Sequence, residues 1–413
     1  MPSALPRAAA HPLALLAVAC ALSAGARADE PGLPASLDDA RKMEQRDALP
    51  ITDFYRTPAN LAATRAGELL RAEPAHDYLL PAGASAVRIL YHSLDATGRD
   101  VATSGVVLVP SGKAPAGGWP VIAWAHGTSG VARQCAPSAM KDVYYGEEGL
   151  NDFLAAGFAV VATDYHGLGT EGPHQYVNKT AQARDVIYSL PAARAAVPAL
   201  GARWVVDGHS QGGLAAWGVA EIESRERDPD YLGAVSVAGA TNVPMLLDAM
   251  QHSPVARFYA DFMAFGVQAR YGDFKPAELL SEQALRHYDE VTTRGCWYVG
   301  YASFRKDPDY AAFRAGWQSV ESLKKFIAEN STGQQPVAGP MLVIAGEADQ
   351  SVPFPAVLSA VHAACRNHLP ISFRSYPGLD HDPVMIGSAK DQIAWIKDRF
   401  AGRPATLDCP TGS

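Results

Sequence analysis

From residue 121 onward the chain repeats one unit, a short unbroken apolar run followed by a helical stretch. The runs lie at 121–125, 159–163, 204–207, 234–237, 341–345 and 371–376, and nearly every position in them is apolar. A strand with one solvated face alternates apolar and polar residues, whereas a strand covered on both faces does not. The stretches between them, at 150–156, 181–197, 214–225, 356–367 and 388–400, carry apolar residues at i, i+3 and i+4. Two earlier runs, 88–93 and 103–109, are separated by Asp95-Ala96-Thr97-Gly98, a hairpin-like turn. An antiparallel opening followed by β-α alternation predicts an α/β fold with a mostly parallel, eight-stranded sheet and helices on both faces.

The alternation breaks once. Residues 241–339 show no strand pattern and are helical, aromatic and Met-bearing, with Met245, Phe258, Phe262, Phe265, Trp297, Tyr298 and Trp317. An insertion of this size between two core strands predicts a helical lid or cap. The core is then 29–240 with 340–413. Its first part, 29–86, is an N-terminal extension rich in Pro, Ala and charge, with a helical stretch around 61–72.

The first residues read as a targeting segment. Arg7 precedes a short apolar run from Leu13 to Leu22, and Ala26-Arg27-Ala28 fits signal peptidase, predicting a signal peptide over 1–28 cut before Asp29. The run is too short for a transmembrane helix, and no later stretch is long enough. A rival reading anchors Cys20 through lipid. The product would be secreted or periplasmic. Of 5 cysteines, cleavage leaves Cys135, Cys296, Cys365 and Cys409, an even set that predicts two disulfides in an oxidising compartment. Three pairings are possible; Cys365–Cys409 would tie down the C-terminal tail, and Cys135–Cys296 would tie the insertion to a front-face loop.

The chemistry concentrates at Gly208-His209-Ser210-Gln211-Gly212, a G-x-S-x-G that follows one apolar run directly and opens the next helix. So tight a strand-to-helix turn exposes the serine hydroxyl at the carboxyl end of the sheet, and the flanking glycines remove clashes. A serine hydroxyl needs a base oriented by an acid, expected in the chain order Ser, acid, His. Asp349 follows the run 341–345 and is the expected acid, with Glu347 in the same loop as the fallback. His381 follows the run 371–376 and is the expected base, on a loop ahead of the last helix. Its neighbours Asp380 and Asp382 read as loop charges. An oxyanion hole takes two backbone N–H groups. Gln211 supplies one, and Thr128, in the glycine-bearing turn 126–130, supplies the other, with Gly127 as its alternative.

Other signals exclude function classes. With a net charge of −8 and no long Lys/Arg run, the chain lacks an electrostatic footprint for nucleic acid. A formal G-x-G-x-x-G at 167–172 is followed by Pro173-His174 where a phosphate-binding helix would run. No metal or nucleotide motif is present, so neither metal nor cofactor is implied. Asn178-Lys179-Thr180 and Asn330-Ser331-Thr332 match the glycosylation sequon.

Five segments in order, WAHGTSG at 124–130, CAPS at 135–138, TDYHGLGT at 163–170, GHSQGG at 208–213 and DFYRT at 53–57, resemble the secretory lipase family. That family holds fungal lipases of the Candida type A kind and secreted bacterial esterases, some of which help plant pathogens attack cell walls. The resemblance runs from about Asp53 to the last helix. It implies an α/β-hydrolase with a helical lid, a triad of Ser210, Asp349 and His381, and carboxylester substrates, small or lipid. Two rival functions are an exported serine peptidase of the same fold and an esterase acting on a polymer, such as an acylated plant wall or a polyester. A third is an inactive fold kept as a binding module.

Overall fold

Nine strands form one sheet in the computed structural model, which describes residues 32–304 and 310–410. The strands are β1 (Leu69–Ala75), β2 (Ser85–Leu94), β3 (Asp100–Val109), β4 (Trp119–Ala125), β5 (Ala159–Thr163), β6 (Leu200–His209), β7 (Tyr231–Val237), β8 (Met341–Gly346) and β9 (Ile371–Tyr376). Their order is β1-β2-β3-β5-β4-β6-β7-β8-β9. The pairs from β1 to β5 are antiparallel, and those from β5 through β4 to β9 are parallel. The predicted signal peptide and the Cys20 alternative lie outside the described residues.

The helices are α1 (Leu37–Asp47), α2 (Asn151–Ala155), α3 (Lys179–Ala196), α4 (Gln211–Glu226), α5 (Val243–His252), α6 (Tyr259–Arg270), α7 (Glu282–Asp289), α8 (Trp297–Phe304), α9 (Glu321–Asn330), α10 (Phe354–Arg366) and α11 (His381–Phe400). Along β4, Val121, Ala123 and Ala125 face one apolar cluster with Val186 of α3, Leu214 of α4 and Val357 of α10. Ile122 and Trp124 face a second, with Phe153 of α2 and Val384 and Ile396 of α11. Both faces are buried, which is why these strands lack alternation. Among the described residues no helix is long and apolar enough to cross a membrane.

The strand count corrects the sequence reading of eight. The extra strand is β1, where a helical stretch was expected around 61–72; only Leu61–Ala63 there is helical, as a single 3₁₀ turn. Leu, Ala and Arg favour a helix, but the edge of β2 offers a full ladder and tertiary pairing overrides that weak bias. Pro74 is tolerated because β1 is an edge strand, and Glu73 pairs across the strands with Arg88 at 3.0 Å. The turn after β2 closes as expected. The Asp95 carboxylate takes the Thr97 and Arg99 amides at 2.8 and 3.0 Å, and Gly98 adopts φ 89°.

The cysteines pair as Cys135–Cys296 and Cys365–Cys409. The first joins the loop beyond β4 to the start of α8. Glu44 of α1 caps the same helix, its carboxylate accepting the Cys296 and Val299 amides at 3.0 and 2.8 Å. Both sequon asparagines are buried and engaged: Asn178 caps α3, and Asn330 accepts the Lys179 amide at 2.8 Å. Neither can receive a glycan in the folded protein.

One buried group is energetically out of place. Asp207 of β6 has no solvent exposure, and neither carboxyl oxygen has a hydrogen-bond partner; its register neighbour Trp124 likewise has an unpartnered Nε1. Burial therefore pushes the Asp207 carboxyl well above the usual carboxylate range, and the native state holds it neutral. The unfolded chain releases this proton above a pKa of about 3.9, so native stability falls as pH rises past that value. Asp207→Asn keeps the shape and removes the proton equilibrium. In urea unfolding it should be more stable than wild type near pH 8, with the gap closing toward about pH 4. Equal midpoints at both pH values would overturn the reading.

Candidate active site

The carboxyl ends of β4 and β6 meet where the strand order reverses, the place at which open α/β sheets hold their ligands. Ser210 sits there, between the last residue of β6 and the first of α4, with φ 58° and ψ −118°. A non-glycine residue in this region stores roughly 1–3 kcal/mol of strain and persists only where its surroundings over-determine it. Two glycines do so. A Cβ on Gly208 would stand 2.2 Å from the Gly212 carbonyl oxygen, and one on Gly212 would stand 1.8 Å from that of Ala125. The Ser210 amide donates to the Val237 carbonyl at 2.9 Å, which locks the turn onto β7.

His381 and Asp349 come to this serine from distant points in the chain. His381 Nε2 lies 2.8 Å from Ser210 Oγ, and its Nδ1 lies 2.7 Å from Asp349 Oδ2. The other Asp349 oxygen accepts the Ser351 and Val352 amides at 2.9 and 2.8 Å, so the carboxylate cannot swing away. Glu347 is not part of this chain of bonds; its carboxylate accepts from Ser375 Oγ at 2.7 Å. Burial pulls the His381 imidazole down, but the charge and hydrogen bond of Asp349 outweigh it and raise the pKa to about 9.

Two details depart from the sequence reading. His381 is the first residue of α11 rather than a loop residue. Asp380, read as a loop charge, is its N-cap, accepting the His381 amide at 2.7 Å and the Gln350 amide at 2.9 Å. One carboxylate thus stitches the loop of Asp349 to α11. Asp382 is exposed.

The loop after β4 lies directly against the serine, since a Cβ on Gly127 would be 3.3 Å from Ser210 Cβ. Thr128 is held from two sides: its carbonyl accepts from Tyr144 Oη at 2.5 Å, and its hydroxyl bonds Tyr176 Oη at 2.9 Å. Gln211 begins α4, where the first N–H groups have no intrahelical acceptor. Its side-chain amide donates to His174 Nε2 at 3.0 Å, and His174 Nδ1 donates to the His166 carbonyl at 3.0 Å. That arrangement requires a neutral His174, and burial lowers its pKa to about 3.

Sequence reasoning missed the supporting shell. Tyr144, Tyr176 and His174 come from irregular segments with no periodicity to mark them. His209 could have been noticed as the residue preceding the serine. Its Nδ1 bonds Tyr145 Oη at 2.7 Å and its Nε2 the His381 carbonyl at 3.1 Å. Among the described residues, His209, His381 and Asp382 form a group with metal-ligand spacing. All four ring nitrogens of the two histidines are already committed to these hydrogen bonds, so the group does not read as a metal site.

The sequence pattern of the Secretory lipase family matches residues 143–408, well over half of the chain. The chain belongs to the secretory lipase family. This makes it a carboxylic ester hydrolase. Among curated relatives, Lipase A of Arthroderma benhamiae is 23% identical over 396 residues, covering 90% of this chain and 77% of that protein. A secreted triacylglycerol lipase of Malassezia globosa is 24% identical over 386 residues, covering 86% and 82%. Among solved structures, the fold is similar to Candida antarctica lipase A in its closed state, with a TM-score of 0.74 at 16% identity, covering 88% of this chain and 90% of that one. It is also similar to the rice cell wall degrading esterase LipA from Xanthomonas oryzae, with a TM-score of 0.67 at 17% identity, covering 81% and 98%. The lipase and esterase neighbours share the α/β-hydrolase architecture with this family member.

Proposed function

We propose that this secretory lipase cleaves acyl esters through an acyl-enzyme, with Ser210 as nucleophile, His381 as general base and Asp349 as its orienting acid. The observation that carries the reading is the unbroken chain of bonds from Asp349 through His381 to Ser210, at 2.7 and 2.8 Å. Ser210 Oγ attacks the ester carbonyl carbon while His381 Nε2 takes its proton, and Asp349 stabilises the imidazolium. The oxyanion accepts from the N–H groups of Gln211 and Thr128; one such donor is worth roughly 10²–10³ in rate. The carbon–oxygen bond then breaks, and the alcohol leaves with the proton from His381. Water, deprotonated by the same base, releases the acid and restores Ser210.

Residues 241–339 serve in this reading as a lid over the site. Trp297 Nε1 donates to Tyr259 Oη at 2.9 Å, and the Trp297 amide donates to the Ser129 carbonyl in the loop beside the serine at 2.9 Å. These aromatic groups suit an apolar acyl chain, and the triacylglycerol substrates named for the Malassezia relative are of that class. The leader is proposed to be removed after Ala28 on export, with the two disulfides forming outside the cytoplasm.

Hydrolysis of p-nitrophenyl esters from acetate to palmitate tests the nucleophile. Ser210→Ala should fold normally and lose roughly 10⁶-fold in kcat; activity near wild type would sink the assignment. The pH profile tests the base. His381 must be neutral to accept a proton, and Asp349 raises its pKa, so kcat/KM should climb with pH through a midpoint above the ordinary value of about 6.5. In Asp349→Asn the stabilising charge is gone, so the residual activity should titrate at a lower pH. A wild-type midpoint at or below the ordinary value, or one unmoved by the substitution, would contradict the pairing.

A further inference from the structure

The side chains of Tyr145 and His209 lie beside the proposed triad, and their bonds have only one consistent polarity. The His381 carbonyl can only accept, so His209 Nε2, at 3.1 Å from it, carries the hydrogen. A neutral imidazole then leaves Nδ1 as an acceptor, and Tyr145 Oη, at 2.7 Å, must donate to it. Burial supports the neutral form by lowering the His209 pKa to about 4. The His209 ring also packs on the His381 ring, with centroids 4.6 Å apart.

The chain accepts strain and close approach to make these contacts. Val143 and Tyr144 adopt φ 56° and 66° in succession, a left-handed conformation that is an outlier for a β-branched residue such as Val143. The kink is held by the Tyr144 amide on Asp142 Oδ1 at 2.8 Å and by the Val143 amide on the Met140 carbonyl at 3.1 Å. It brings the Tyr145 hydroxyl to a spot where a Cβ on Gly127 would meet it at 2.2 Å. Strain of this kind is retained where surrounding contacts fix it, and it clusters at functional sites.

We infer that Tyr145 and His209 are positioning residues for ester hydrolysis, a relay of two hydrogen bonds that holds His381 in register with Ser210. The inference rests on His381 acting on Ser210 as proposed above. Without the tyrosine hydroxyl, His209 Nδ1 is buried and unpartnered. The ring can then pivot, or take the other tautomer and turn a lone pair toward the His381 carbonyl oxygen. Either change loosens the base by a fraction of an ångström, and small misplacements of reacting groups are costly in rate.

The test is a double-mutant cycle on p-nitrophenyl ester hydrolysis, with kcat expressed per site titrated by a serine-directed phosphonate. Tyr145→Phe and His209→Phe should each lower kcat roughly 10- to 100-fold with KM unchanged. His209→Gln, whose amide can donate to His381 and accept from Tyr145, should stay within about threefold of wild type. The double variant should be no worse than His209→Phe alone, because the tyrosine acts only through the histidine. Wild-type kcat in either Phe variant, additive losses in the double, or a His209→Gln as damaged as His209→Phe would each overturn the relay. Should His209→Phe fail to fold, Tyr145→Phe, which removes one oxygen, decides alone. A failure of the serine mechanism itself reads differently: wild type would not be titrated by the phosphonate, and the relay would fall with it.

Discussion

The backbone of Ser210, held at φ 58° between β6 and α4, is the constraint on which the rest of the site depends. Such a turn leaves the serine hydroxyl standing above the sheet, and it exists only because strands and helix meet closer than side chains allow. Gly208 and Gly212 supply that closeness, one against the other's carbonyl and one against the end of β4. The same contact brings the loop after β4 over the serine, so the elbow and the proposed oxyanion donors are consequences of one packing event. A side chain at Gly212 would push α4 away from β4, and one at Gly208 would push α4 away from β6.

Much of the architecture was legible because burial on two faces leaves an unmistakable trace. The central parallel strands read as largely apolar runs, and each parallel strand was found within a few residues of its observed bounds, although β9, at the edge, carries Ser372, Arg374 and Ser375. The first strand was not, because β1 is an edge strand of Leu, Ala, Arg, Glu and Pro whose local preference is helical. Only its partner β2 makes it a strand, and pairing across sequence is invisible to a local pattern. Asp349 was the expected acid and Glu347, in the same loop, its fallback, but a local pattern does not show which of two carboxylates so close in sequence faces His381. The choice appears only when the Ser351 and Val352 amides turn the Asp349 carboxylate toward His381.

The supporting shell was the least legible part, and the reason is physical. Tyr144, Tyr145 and His174 make their side-chain hydrogen bonds from irregular backbone, and irregular backbone has no period. Asp380 illustrates the limit from the other side. As a charge beside His381 it looked incidental, yet as an N-cap that also takes the Gln350 amide it joins the loop of Asp349 to α11. A residue's role there is set by the direction of one side chain, which composition does not encode.

These supports also bear on how the helical segment 241–339 can behave. Its α8 is bound at the first turn by the Cys135–Cys296 disulfide, by the Glu44 carboxylate and by the Trp297 amide on Ser129. All three anchors sit beside the loop that covers Ser210, so displacing the start of α8 would disturb that loop as well. At the far end, the buried Lys179 ammonium holds the Ser331 carbonyl at 2.7 Å and Glu221 at 2.7 Å, tying the end of α9 to α3 and α4. Breaking a buried ion pair by removing one partner typically costs several kcal/mol. A movement of this segment that kept both anchors would leave the start of α8 and the end of α9 in place and displace α5 to α7, which precede the first anchor.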